Sequence, residues 1–471
     1  MCSIAGAYSK KNQDVSSLVI DMLFNLKHRG HDAFGIKTLN EESKSKNLNE
    51  LKVKKSTVCI AHSLLSITGY CVQPITRKNV SIAYNGQIYN YKKLNPLKEE
   101  PESDSVVVAD FFNKELEKKS FSSVVKSFMK KAKGEYVVSA IHKKKVYVFR
   151  DFIGLKPLWF GENDSFFAFA SEPSVLMKFN VYPNPLLPGH LIEISEKGLK
   201  VKKIFDVMDF RKQVPKKHSL KKMKLALEKT IELQTRGIKK AGVLFSGGVD
   251  SSLIAKMVSE KVKDTKLFVC GLKGSQDVET AKKAAKEMNL PLESIIIDEE
   301  KIKKLILRVI KILSFYDDMQ IGISVPELAC SDEIAKQGYK VVFSGQGSDE
   351  VFCGYANYLK VLKEKGYSSV ENEKWFSISR MWSRNFYRDE IIFARNSLEL
   401  RVPLVASEFL KEAMVIPSKK NILSENDLIR KHPIRELALS YGVPKEFALK
   451  PKKALQYGSG SQKIVTKLLL K

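Results

Sequence analysis

Two glycine-rich stretches and one cysteine hold the residue types from which chemistry can be built. The first stretch, Ser246-Gly247-Gly248-Val249-Asp250-Ser251-Ser252, follows a short apolar run and precedes an amphipathic one. Two glycines let the backbone curl until several amide N–H groups face one point. The start of a following helix adds partial positive charge, so the turn suits a pyrophosphate. Ser246, Ser251 and Ser252 offer hydroxyls, and Asp250 offers a carboxylate for Mg²⁺. The spacing lacks the Gly-Lys-Ser ending of a Walker loop, so γ-phosphoryl transfer is not indicated. A second stretch, Ser344-Gly345-Gln346-Gly347-Ser348-Asp349-Glu350, follows another apolar run. One such loop is weak evidence, since Gly-Gly turns with a serine cap also serve structure alone. Two, each after a strand and each with an aspartate, are strong. Asp250 and Asp349 would then share Mg²⁺ beside a leaving pyrophosphate.

Cys2 is the third feature. Once Met1 is removed, it carries a thiol and a free α-amine that titrates near pH 8. Such a residue contains its own general base and needs no histidine.

The elements that must position these groups fall into two halves. Before residue 205 the chain reads as a strand-rich domain with few long helices. Alternating stretches run over 56–65, 80–84, 135–142, 145–150, 165–170 and 190–195, and one amphipathic helix carries Leu18, Val19, Met22, Leu23 and Leu26. Residues 206–218 read as a polar, basic linker containing Pro215. From 219 to 471 strands alternate with helices: strands at 241–245, 267–271, 294–297 and 340–343, with amphipathic helices between them. That alternation predicts parallel β-α-β units in a doubly wound sheet, with ligands beyond the carboxyl ends of the strands. The remainder, from about Tyr358, reads as mainly helical. There Arg380, Arg384 and Arg388 stand at i, i+4, i+8 and would share one solvated or ion-paired helix face.

Composition narrows the class. The chain has 471 residues, 44% of them hydrophobic, enough for real cores. No apolar run approaches the roughly 18 residues a membrane span requires. No secretory signal is read at the start, so a cytoplasmic protein is expected. The net charge is +27, yet only 13 of the 80 basic residues are Arg and the Lys are spread throughout. Base reading favours Arg, so a nucleic-acid partner is not expected. The six cysteines form no CxxC pair, which argues against structural zinc and a disulfide framework; all but Cys2 are read as buried, inert thiols.

Taken together these motifs resemble the glutamine-dependent asparagine synthetase family, over nearly the whole chain from Cys2 to about Gly460. The opening Met1-Cys2-Ser3-Ile4-Ala5-Gly6 resembles that of class II glutamine amidotransferases. His28-Arg29-Gly30-His31-Asp32, Asn85-Gly86-Gln87-Ile88-Tyr89-Asn90, Ser103-Asp104 and the segment from Arg150 to Leu158 follow in the family's order. The 246–252 loop resembles that of ATP pyrophosphatases, and Glu399-Leu400-Arg401-Val402-Pro403 and Lys450-Pro451-Lys452-Lys453 complete the set.

The resemblance implies an αββα glutaminase domain over 2–205 and an α/β synthetase domain over 219–471. It implies a glutamine-hydrolysing asparagine synthase that takes glutamine, aspartate and ATP, with Mg²⁺, and a homodimer as the candidate assembly. Cys2 would be the nucleophile, with Asn85 and the N–H of Gly86 as oxyanion hole and Lys452 as the synthetase domain's catalytic lysine. Glutamine would lie against Leu64, Leu65, Ser66, Ile67, Thr68, Asn85, Gly86, Gln87 and Asp104, with Asp104 gripping its α-ammonium. ATP would lie against Phe245, Ser246, Gly247, Gly248, Asp250, Ser251, Ser252, Cys270, Gly271, Ser344, Gly345 and Gln346. Three departures stand out: Leu64 where the family has a carboxylate-holding Arg, Gln87 for Glu, and Gln346 for Glu. They leave four rivals: amidation of another carboxylate, an ammonia-preferring synthetase with impaired glutaminase, a tRNA-modifying pyrophosphate-loop enzyme, and a non-enzymatic regulatory relative.

Overall fold

The computed structural model describes residues 1–97, 100–215, 217–451 and 455–469. They form two units, Met1–Asp209 and Phe210–Lys471.

In the first unit two antiparallel sheets, one of seven strands and one of six, lie face to face. Strand Ser3–Ser9 sits inside the larger sheet between Phe166–Ala170 and Val58–Leu64, pairing Ile4 with His62. Strand Ser81–Ile88 runs in the smaller sheet beside Gly134–His142, pairing Asn85 with Val137 and Gly86 with Tyr136. Alternation sends one face of each sheet inward, so Ile4, Ile60 and Phe169 meet Val137, Val148 and Ile192 in one apolar core. Helix Ser16–Leu26 packs on the larger sheet and helix Asp104–Glu115 on the smaller, giving an αββα sandwich.

The sequence reading underestimated the helices here. Asp104–Glu115 and Phe121–Lys131 are both more than ten residues long. The run Val106-Val107-Val108 in the first favours a strand by propensity. Tertiary packing overrides it, with the Ser103 hydroxyl accepting the N–H of Val106 (3.3 Å) as an N-cap. Phe112, Phe121 and Phe128 then stack under Phe149 and Tyr147.

The second unit is built on five parallel strands in the order Leu292–Ile296, Asp264–Gly271, Lys240–Leu244, Val341–Phe343, Glu399–Arg401. After Lys240–Leu244 the chain builds outward on one side, then returns to add Val341–Phe343 on the other. The strand order reverses at that point, where α/β sheets open a crevice. The last strand, inside the stretch read as helical, is three residues long and too short for alternation to reveal. The basic run also differs from its reading. Helix Asn357–Met381 passes into a π-helical turn, Trp382–Phe386, before helix Tyr387–Ala394. That wider turn breaks the 3.6-residue register, so the three arginines share no face. Arg380 covers the Phe376 ring, Arg384 is exposed, and Arg388 is buried against Asp389 (2.5 Å) and Glu327 (3.4 Å). Cys71 is half-buried, so four cysteines are buried, not five. No described helix is long and apolar enough to cross a membrane.

Candidate active sites

In the first unit Cys2 stands just ahead of the central strand Ser3–Ser9, and its thiol sulfur accepts the N–H of Leu65 (3.4 Å). Its carbonyl accepts Nε of Arg29 (3.2 Å), and the amine of Met1 donates to the Arg29 carbonyl (2.6 Å). The Arg29 guanidinium is fully buried and reaches Oε1 of Glu172 (3.1 Å), which also meets Nε2 of His28 (2.8 Å). Burial opposes the Glu172 charge, but His28 and Arg29 outweigh it and hold its carboxyl at about 2. Arg29 is therefore a strut behind Cys2, tied to a buried carboxylate. The sequence reading had no signal for Glu172, which lies 143 residues away.

Asn85 and Gly86 lie in the strand of the opposite sheet that packs across from Ser3–Ser9. Asn85 is 1% exposed, and neither Oδ1 nor Nδ2 has a hydrogen-bond partner among the described residues. A buried amide left unsatisfied costs about 1–3 kcal/mol, which marks it as a group awaiting a ligand. Gly86 has φ +151°, and a Cβ there would stand 2.0 Å from the carbonyl oxygen of Glu135. No other residue fits that close approach. Asp104 opens its helix and accepts the Tyr84 hydroxyl and the N–H of Ile88 (3.0 Å). Leu64 and Leu65 are buried, Ser66, Ile67 and Gln87 half-buried, and Thr68 exposed. The N–H of Ser66 is held by Asp32 Oδ2 (2.7 Å).

In the second unit the two glycine loops meet at the switch point. A Cβ on Gly345 would stand 2.9 Å from Cβ of Asp250, so the loops are in direct contact. Gly247 has φ +69° and Gly347 φ +90°, both in the left-handed region where glycine is favoured. Phe245, Ser246, Gly248, Asp250, Ser251, Cys270, Ser344, Gly345, Gln346 and Asp349 line one pocket. Gly247, Ser252 and Gly271 do not, although all three were read as nucleotide contacts. Gly247 turns toward Thr280, Ser252 is fully buried, and Gly271 faces Ser275 and Ser459. The candidate Lys452 lies outside the described residues.

The residue that sequence reasoning missed is Lys431. Its ammonium is fully buried and lies 2.7 Å from both Asp250 Oδ2 and Asp349 Oδ1. Ser348 Oγ donates to the other Asp250 oxygen (2.6 Å). Arg435, Lys450 and Glu327 are also among the residues that line the pocket. Lys431 lies 181 residues from Asp250, in an ordinary basic triplet, and no spacing pointed to it.

Both halves of this architecture match known families. Residues 222–369 and 359–469 match the asparagine synthase family model, and residues 1–194 match the glutamine amidotransferase domain. A candidate asparagine synthetase (glutamine-hydrolyzing) of Methanocaldococcus jannaschii is 31% identical over 100% of this chain and 96% of its own length. The asparagine synthetases (glutamine-hydrolyzing) of Bos taurus and Homo sapiens are each 25% identical, over 98% of this chain and 85% of theirs. The chain belongs to the asparagine synthase family, with a glutamine amidotransferase domain ahead of the synthase domain.

Proposed function

We propose that the protein makes asparagine from aspartate, glutamine and ATP by two chained reactions. In the first unit the Cys2 thiol attacks the side-chain carbonyl of glutamine. The Cys2 α-amine, free once Met1 is removed, takes the thiol proton and returns it to the departing ammonia. The oxyanion of the tetrahedral intermediate is placed against Asn85 Nδ2 and the N–H of Gly86, a role that the unsatisfied buried amide supports. Water then releases glutamate from the thioester, and Asp104 holds the glutamine α-ammonium throughout.

In the second unit the loops at 246–252 and 344–347 cradle the ATP phosphates. The aspartate side-chain oxygen bonds to the α-phosphorus, pyrophosphate leaves, and ammonia then displaces AMP from the acyl carbon. Asp250 and Asp349 already converge on one cation, the Lys431 ammonium, and their hard oxygens fit the carboxylate-plus-phosphate set that Mg²⁺ takes. Held beside that ammonium by the carboxylates, Mg²⁺ would supply charge neutralisation for the departing pyrophosphate. Lys431 and Lys450 supply the fixed positive charge of the same wall, and Lys452 is proposed to join them.

The observation that carries this reading is the meeting of two glycine loops, each with its aspartate, at the strand-order reversal. The test is purified protein with ATP, Mg²⁺, aspartate and either glutamine or ammonium. Asparagine and pyrophosphate should form in equal amounts. Pyrophosphate release without asparagine would move the acceptor to another carboxylate, and no ATP turnover would remove the enzymatic reading.

A further inference from the structure

The second-unit pocket is lined by acids and bases together, Asp250, Asp277 and Asp349 among the acids. Lys431, Arg435 and Lys450 lie among its lining residues, and so does Glu327 on helix Asp318–Lys336. Glu327 is 7% exposed and its Oε2 has no hydrogen bond among the described residues. Behind it Arg388 meets Glu327 at 3.4 Å and Asp389 at 2.5 Å, and Gln346 Nε2 donates to Asp389 (3.1 Å). One guanidinium thus faces two carboxylates, so Glu327 is short of a positive partner. Burial and the neighbouring Asp389 push the Glu327 carboxyl up to about 8, the direction expected of a group short of positive partners.

Nucleotide phosphates have no place against such a group. The Glu327 Oε2 has a guanidinium at 3.4 Å but no hydrogen bond, so a ligand's donor would complete it. The cationic wall suits the phosphates and the carboxylate under activation. The Glu327 edge suits a positively charged donor at the far end of the same acceptor.

We infer that Glu327 binds the α-ammonium of an amino-acid acceptor and sets the enzyme's preference for amino acids over plain dicarboxylic acids. This rests on the amidation reading above and adds a residue and a substrate class to it. Glu327 is a specificity residue: it touches the acceptor away from the carbon that reacts, and Gln346 and Arg388 position it through Asp389.

The experiment is ATP–pyrophosphate exchange, which reports acyl-adenylate formation without any nitrogen donor. Aspartate is compared with succinate, the same skeleton lacking the amine, in the full-length wild type, Glu327→Gln and Glu327→Asp. Wild type should favour aspartate at least tenfold in kcat/KM. Glu327→Gln should raise the KM for aspartate by about ten- to a hundredfold, with kcat changed only a few-fold, as expected for one charged hydrogen bond. Succinate should be unaffected, so the preference collapses, and Glu327→Asp should restore part of it. An unchanged aspartate KM in Glu327→Gln overturns the inference, as does equal loss with both acids, which marks a merely structural role. No exchange with aspartate in the wild type instead refutes the amidation reading, and the inference with it.

Discussion

Replacing Asn85 with Leu separates a catalytic role from a structural one, because the structure predicts opposite signs for activity and stability. Leu has the same number and branching of side-chain heavy atoms as Asn, with neither donor nor acceptor. Both polar atoms of the Asn85 amide are buried and make no hydrogen bond among the described residues, so the folded protein loses no bond when they go. It sheds an unsatisfied group whose burial costs about 1–3 kcal/mol, and stability should stay level or rise. Catalysis should suffer instead. Loss of one oxyanion donor costs about 10²–10³ in kcat, or about 2.7–4 kcal/mol of transition-state stabilisation. The assay is glutaminase kcat with urea unfolding of the same preparations. Ammonia-dependent synthesis, assigned to the other unit, serves as an internal control. Glutaminase should fall at least a hundredfold while the unfolding midpoint does not drop and ammonia-dependent synthesis is kept. A drop of more than 1 kcal/mol in stability with activity lowered only in proportion would refute the reasoning, since Asn85 would then be a packing residue.

Three further outcomes follow from the first unit. Cys2→Ala should abolish glutamine-dependent synthesis and spare the ammonia-dependent reaction; equal loss of both would refute the two-site reading. Glu172→Gln should cost about 3 kcal/mol near neutrality, from a carboxyl held at about 2 in the fold against 4.5 when unfolded. Because that folded value is lowered, the contribution is complete above about pH 4.5 and fades as pH falls toward 2, so urea unfolding should show the gap at pH 3 below half its neutral size. A gap independent of pH would show that Glu172 acts through packing. Leu64→Arg should lower the KM for glutamine by about tenfold if a carboxylate anchor is missing, since a charged bond contributes about 1.5–3 kcal/mol. An unchanged or worse KM would mean that another group already holds that carboxylate.

What could be read in the sequence was what lies contiguous in it. The glycine loops announce themselves because strand, turn and helix follow one another within a dozen residues. The parallel sheet follows from the alternation of such units, and so does the meeting of the loops at 246 and 344. The period in Phe121, Val124, Val125, Phe128 and Met129 also marks a helix, though the surrounding strands obscured it. Other features have no local trace. Lys431 finds Asp250 across 181 residues and Glu172 finds Arg29 across 143, and a buried lysine looks the same in sequence as dozens of exposed ones. Glu327 follows a proline inside a helix whose buried positions run almost continuously, so no polar face set it apart. The arginine run misled because a π-helical turn shifts the register at Trp382–Phe386, a deviation that spacing alone does not reveal.

The triad of Lys431, Asp250 and Asp349 links these observations to mechanism. A buried carboxylate pair would repel itself, raise both proton affinities and spoil a phosphate site. With the ammonium 2.7 Å from each, the two carboxylates share one cation and their oxygens face a common point. Losing Lys431 alone would leave two buried charges uncompensated, typically a penalty of about 3–5 kcal/mol. On the proposed reading, the lysine would maintain the site before nucleotide arrives. Its own position, fully buried and left-handed at φ +55°, is fixed by fold rather than by helix propensity. The cation that holds the two loops together is thus part of the scaffold. Glu327, with one guanidinium shared between it and Asp389, is left short of a positive partner that a substrate amine would supply.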